Sequence, residues 1–259
     1  MKYIRSKAKY AADIFYAIAE NCDLKSYHSW VEPFVGGANM MAMVVRITEY
    51  DRKELDIHFG NKIGNDINPY LIRMFQAVQK GWEPSKFYDE EAYKLAKENA
   101  KLTFNPLLEE AAEIGFIGIG CSYAGKWFGG YARGNANNGK PRNYTKESKD
   151  NLLEQSKYLK DVFFCEGHYK NFNFPINSII YCDPPYFSTT KYKYQLEHSK
   201  FWDWCNEMEA RGHRVFVSEY QAPDGWECIW QKEVNNSLTQ NTGAKKGIEK
   251  LFAKKYGTR

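Results

Sequence analysis

Residues 28–45 read HSWVEPFVGGANMMAMVV. A short apolar run meets Pro33, passes Gly36 and Gly37, and continues into a longer apolar segment. The order is strand, glycine loop, helix. Glycines at such a turn let the backbone approach a ligand closely and aim amide groups at it; on their own they serve a simple turn equally well. The dinucleotide fingerprint G-x-G-x-x-G is absent, which argues against a nicotinamide cofactor.

The next block repeats this grammar. NKIGNDINPY (61–70) reads as a second strand closing at Asp66, with Pro69 in the first turn of a following helix. Alternating strands and helices predict an α/β fold with a parallel sheet and crossover helices. Asp66 stands 30 residues beyond Gly36. At a strand's end an acid can accept hydrogen bonds from both hydroxyls of a ribose, or it can cap the next helix. Beside the glycine loop the ribose reading is the stronger, and the two features describe a nucleoside pocket.

A third stretch, NSIIYCDPPYF (177–187), ends another apolar run in an acid, two prolines and a ring. Each proline withholds a backbone donor and fixes its own φ, so the strand must stop. Asp183 precedes a proline and is pushed toward extended geometry, which displays its side chain at the strand's end. That is where open α/β sheets bind ligands. An exocyclic amine on a base is a poor nucleophile because its lone pair is delocalised into the ring. If the Asp183 carboxylate and the Pro184 carbonyl accept its hydrogens, the nitrogen pyramidalises and can attack, a matter of preorganised acceptors. Tyr186 would stack on the base. The competing reading of the same residues is an Asp-Pro turn beside a buried tyrosine.

Around these blocks, residues 8–20 carry helical spacing, as do about 89–114 and 146–159, and strand signals return in DVFFCEG, HRVFVSEY and WECIWQKEV. Between Ile114 and Lys146 the texture changes: eight glycines, no acid, and the cations Lys126, Arg133, Lys140, Arg142 and Lys146, interleaved with six aromatics. The sheet is expected to be interrupted by an inserted module and then resumed. The segment from Gly243 to Arg259, with six basic residues against one acid, reads as a solvated tail or an edge strand.

Bulk numbers narrow the class. Hydrophobic residues at 43% and charged residues at 26% are ordinary for a soluble globular chain. Aromatics at 16%, with 19 tyrosines, suit a large core or stacking against bases. A formal charge of +4 is no argument for nucleic acid unless the cations share a face. Six scattered cysteines, with no CxxC pair, fit free thiols in a reducing cytosol and disfavour zinc. Neither an apolar signal core nor a membrane-length run is present, so a cytoplasmic protein is expected.

VEPFVGGAN, NDINPYLI and IIYCDPPYF, in that order with the acid-free stretch between the last two, resemble the Dam-type, phage-like DNA adenine-N6 methyltransferases of the DPPY class. The resemblance extends to KYIRSK near the amino terminus and to VFVSEY and the basic tail. It implies a Rossmann-like class I methyltransferase sheet, with residues 1–80 and 160–259 as the catalytic domain and 81–159 as a target-recognition insertion. It further implies S-adenosylmethionine as cofactor, double-stranded DNA as partner, no metal and no membrane, and a monomer or weak dimer on DNA.

Carried over by position, Asp183, Pro184, Pro185 and Tyr186 engage the target adenine. Tyr3, Lys7, Phe34, Gly36, Gly37, Asp66 and Tyr169 serve the cofactor. For DNA the resemblance favours the insertion: Lys126, Arg133, Asn137, Lys140 and Arg142, with side chains such as Arg133, Asn137 and Arg142 reaching base edges. Three positions depart from the family pattern: Ala38 replaces the second motif glycine, Arg5 a common glycine, and His168 an acid often found before the aromatic. Cytosine N4, RNA, or a DNA-binding protein that kept the fold without turnover remain as alternatives.

Overall fold

The computed structural model of the chain describes residues 7–51, 56–102, 106–135, 139–185, 196–235 and 246–255. Tyr3, Asn137 and Tyr186 lie outside the described residues. Seven strands form one sheet: β1 (Ser29–Glu32), β2 (Asn61–Asp66), β3 (Phe163–Glu166), β4 (Ser178–Cys182), β5 (Arg214–Ser218), β6 (Trp226–Asn235) and β7 (Lys246–Lys254). Their order is β3-β2-β1-β4-β5-β7-β6, and only β7 runs against the rest. This is the expected Rossmann-like class I methyltransferase sheet.

β1, β4 and β5 are buried along their whole length, as parallel strands covered on both faces must be. Alternation divides their side chains between two cores. Trp30 and Tyr181 join the larger core with Phe15 and Phe59, while Val31, Ile180 and Cys182 join Phe201, Trp204 and Val217 on the other face. β1 pairs with β2 on one side and β4 on the other. The chain order reverses at this point, so the carboxyl ends of these three strands flank the crevice where such sheets hold ligands.

Seven α-helices are described: α1 (Ala11–Glu20), α2 (Asn39–Val45), α3 (Pro69–Gln79), α4 (Glu90–Asn99), α5 (Leu108–Gly120), α6 (Tyr144–Ser156) and α7 (His198–Ala210). α3 starts as its sequence demands, with Pro69 in the first turn and the Asn68 side chain accepting from the amides of Tyr70 and Leu71. The helical pattern over 89–114 is two helices, and the second runs on to Gly120, past the point where the glycine-rich texture begins. Gly115 explains why: a Cβ there would lie 2.2 Å from the Tyr70 carbonyl oxygen. This glycine is a packing residue that brings α5 against α3.

β7 corrects the reading of the basic carboxyl-terminal stretch. It is neither a tail nor an edge, because it lies between β5 and β6 and buries Leu251, Phe252 and Ala253. Those three consecutive apolar residues cover both faces, and their lysine neighbours mask that signal. No helix among the described residues is long and apolar enough to cross a membrane.

Candidate active site

The glycine loop is tied to the ends of three strands. Val35 N–H donates to the Asn65 carbonyl at 2.8 Å, and the buried Asn65 side chain donates to the carbonyls of Pro33 and Gly167, each at 3.0 Å. Gly36 takes φ 48° and Ala38 φ 52°, both left-handed. Ala38 therefore holds a conformation that favours glycine, at the position where the Dam-type pattern has one.

Asp66 sits beneath this loop. Its Oδ2 accepts from Gly36 N–H at 3.0 Å and its Oδ1 from Asn68 N–H at 2.9 Å. Burial raises its pKa, while backbone donors at Asn68, Gly36 and Ile67 pull the other way. The cap of α3 is supplied by the Asn68 side chain, so the helix-cap reading of Asp66 falls. What remains is a carboxylate aligned by backbone amides and still partly open to solvent, suited to accept hydroxyl hydrogens.

Aromatic rings wall one side. Phe34 meets Tyr169 at 5.1 Å between centroids and Phe201 at 5.7 Å. Tyr169 is buried against Trp204, and His168 stacks on its ring at 4.5 Å. His168 also caps the short turn that carries Tyr169, accepting from the Lys170 amide at 3.3 Å; an acid could make the same cap.

Asp183 emerges from β4 with its side chain 24% exposed, open enough to meet a ligand. The Lys7 ammonium lies 3.2 Å from its Oδ1 and 3.0 Å from Glu249 Oε2 on β7. Lys7 itself is buried. Glu32 ends β1 in the same crowd of charges, fully enclosed, with Trp30 Nε1 donating to its Oε1 at 2.9 Å. Burial first, and the Asp183 charge with it, push the Glu32 carboxyl up to about 8 against the pull of the Trp30 donor. Pro184 is buried and Pro185 half-buried. Among the described residues no His, Cys, Asp and Glu cluster is fit to hold a metal.

A glycine loop, an amide-aligned acid and a strand-end Asp-Pro-Pro thus share the carboxyl end of one sheet. Residues 3–106 match the D12 class N6 adenine-specific DNA methyltransferase family. The D12-class match spans Lys7, the glycine loop and Asp66, and stops short of Asp183. With the sheet order it identifies a methyltransferase that depends on S-adenosylmethionine. No curated protein matches the chain significantly by sequence.

Among solved structures, two of the rRNA methyltransferase aviRa from Streptomyces viridochromogenes align at 9% identity, with TM-scores of 0.42 and 0.43. They cover 95% and 98% of this chain and 84% and 86% of theirs. SMU.472 complexed with SAH aligns at 12% identity and a TM-score of 0.38, over 98% of this chain and 53% of its own. Likenesses this distant say nothing of the acceptor.

The stretch between Ile114 and Lys146 is acid-free in sequence but not in space. Arg133 pairs with Glu90 on α4, and Arg142 makes two 2.6 Å bonds to Glu147 on α6. Lys126 and Lys140 are exposed. Most of the interleaved aromatics pack inward: Phe116 and Phe128 are buried and Trp127 stacks on Tyr70, whereas Tyr123 is exposed. Four contributors went unnoticed in the sequence: Asn65, Glu32, Gln155 and Glu249. Glu32 was visible within VEPF as an acid beside the glycine loop; the others make contacts between residues far apart in the chain and carry no local signal.

Proposed function

We propose that this chain transfers the methyl group of S-adenosylmethionine to N6 of an adenine rotated out of double-stranded DNA. The observation that carries the reading is Asp183, leading Pro184 and Pro185 out of β4 at the sheet's reversal point, one strand away from the glycine loop and two from Asp66. The D12-class match supports adenine in DNA as the acceptor.

The residues fit the cofactor by the chemistry of their donors and acceptors. Asp66, aligned by amides, takes the ribose hydroxyls; Phe34, Gly36 and Gly37 shape the space for the methionine part; Tyr169 packs against the cofactor's adenine. When bound, the cofactor supplies a methyl group made electrophilic by a sulfonium. Asp183 and the Pro184 carbonyl accept the two N6 hydrogens of the target and turn the nitrogen's lone pair out of the ring plane. With the target held so, N6 would take the methyl group as the carbon–sulfur bond breaks, S-adenosylhomocysteine would be the leaving group, and the proton lost from N6 would pass to solvent. Positioning of nitrogen, carbon and sulfur near one line supplies much of the rate.

Rotating the base out of the duplex costs a few kcal/mol. Residues 81–159 are the module that offsets this through the groove and the phosphates, with Lys126, Lys140, Arg133 and Arg142 as its cations. The test is transfer from cofactor carrying a tritiated methyl to duplex DNA, single-stranded RNA and a control without acceptor, followed by nucleoside analysis. Label in N6-methyladenine of the duplex is expected. Label confined to cytosine or to RNA, or cofactor binding with no transfer to any acceptor, overturns the reading.

A further inference from the structure

The resemblance assigns Lys7 to the cofactor, yet the structure sets its ammonium between two carboxylates from distant parts of the chain. Asp183 lies 3.2 Å away at the end of β4, and Glu249 lies 3.0 Å away on the antiparallel strand β7. Only 4% of Lys7 is exposed, so its charge is almost wholly out of water. A buried cation is tolerated only when paired and hydrogen-bonded. Burial alone would lower its pKa, but the charges of Asp183 and Glu249 outweigh that and keep the ammonium protonated.

We infer that Lys7 and Glu249 form a positioning pair for the catalytic carboxylate: Glu249 fixes the Lys7 ammonium, and Lys7 fixes one oxygen of Asp183 and thereby the direction of the other. The inference rests on the reading of Asp183 as the acceptor for the target amine. A strand-end carboxylate has rotational freedom about its terminal torsion, which is broad for Asp. Acceptance of an N–H requires the oxygen to stand within hydrogen-bond reach and near the carboxylate plane. A cation at 3.2 Å from Oδ1 removes that freedom. Glu249, which holds that cation, stands on β7, a strand held between β5 and β6. Among the described residues, two further titratable groups feel the Asp183 charge. Glu32 approaches from β1, and Tyr181 stands on β4 with its hydroxyl 2.8 Å from Ser218 Oγ. Both respond to the Asp183 charge, so the pair also sets the field in which Asp183 works.

A lysine that binds cofactor and a lysine that orients Asp183 predict different losses. The experiment follows the Asp183 carboxyl by ¹³C NMR across pH, its resonance assigned by its disappearance in Asp183→Asn. Wild type is compared with Lys7→Met, Glu249→Gln and the double variant, and cofactor affinity and methyl transfer to duplex DNA are measured in parallel. Loss of the cation should move the Asp183 midpoint up, and loss of the Glu249 charge should move it down. Turnover of Lys7→Met at saturating cofactor should fall on the order of a hundredfold, the scale of a misplaced reacting group, with cofactor affinity retained. Should Lys7→Met not fold, Glu249→Gln and the charge-balanced double variant still report the midpoint and the turnover. Unmoved midpoints, or a loss confined to cofactor affinity, overturn the positioning pair even if adenine is methylated. Midpoints that move as described in a protein that methylates only another acceptor leave the pair standing and remove the adenine reading instead.

Discussion

Gln155, in the last turn of α6, donates its Nε2 to the carbonyl of Gly37 at 2.7 Å. The contact is buried, and it joins the helix that closes the insertion to the loop proposed to cradle the cofactor. A buried carbonyl that loses its donor costs about 1–3 kcal/mol. Gln155→Leu should therefore lower the thermal midpoint and, because Gly37 loses its anchor, weaken cofactor binding as well. Thermal unfolding with and without S-adenosylhomocysteine measures both. An unchanged cofactor-induced shift in midpoint would confine the contact to stability.

Glu32 gives the molecule a pH dependence of defined sign. Its folded carboxyl is raised to about 8 by burial and by Asp183, above the usual glutamate range it regains on unfolding. Between those two values the folded state holds a proton that the unfolded state has released, so stability falls as pH rises through that window. At about 1.36 kcal/mol per unit, the full window amounts to roughly 3–5 kcal/mol. Glu32→Gln keeps an oxygen for the Trp30 Nε1 donor and removes the ionisation. Urea unfolding should then show little difference from wild type near pH 5 and a more stable variant near pH 9. Parallel pH profiles for the two proteins would dismiss Glu32 as the source.

The fold was readable because its signals are local. Pro69 and Asn68 start α3 through atoms within three residues, and the prolines after Asp183 end β4 by covalent geometry alone. The parallel sheet followed from the order of the blocks. The place of Asp66 at the end of β2 was readable for the same reason. What escaped depends on distance in sequence. Glu249 reaches Lys7 across 242 positions, and Gln155 reaches Gly37 across 118. The helical pattern ended at 114 in the sequence because helix propensity disfavours the glycines of 115–120; close packing of Gly115 against Tyr70, Gly118 against Trp127 and Gly120 against Ser148 overrode that preference. The cations Arg133 and Arg142 stood in an acid-free run, yet their partners Glu90 and Glu147 sit on the flanking helices.

Ala38 tests how a family glycine is replaced. Its left-handed backbone costs about 1–2 kcal/mol in an alanine. Against this, its fully buried methyl contributes about 0.8 kcal/mol, and alanine restricts the unfolded chain by about 0.4–1 kcal/mol more than glycine does. These terms nearly cancel, so Ala38→Gly should leave stability within about 1 kcal/mol of wild type. Ala38→Val adds a β-branched side chain to a left-handed residue in a filled core, and overpacking alone costs about 1–3 kcal/mol. Denaturant unfolding of both variants decides the matter; a tolerated valine would mean that the loop does not hold the left-handed turn in solution.

Arg142 and Glu147 decide whether the insertion presents charge to DNA. Their pair is bidentate but exposed, where water and salt screen it. A phosphate can therefore displace Glu147 at little cost and take over both guanidinium bonds. If Arg142 contacts a phosphate, Arg142→Ala should weaken duplex binding and reduce the slope of log affinity against log salt by about 1. Glu147→Gln should act in the opposite sense on affinity, since it removes both a competitor for the guanidinium and a repulsive charge near the phosphates, while leaving the slope in place. The same logic applies to Arg133 and Glu90. Fluorescence anisotropy on a labelled duplex at several salt concentrations reads both quantities. Slopes that stay equal in wild type, Arg133→Ala and Arg142→Ala would place the DNA-facing cations elsewhere on the molecule.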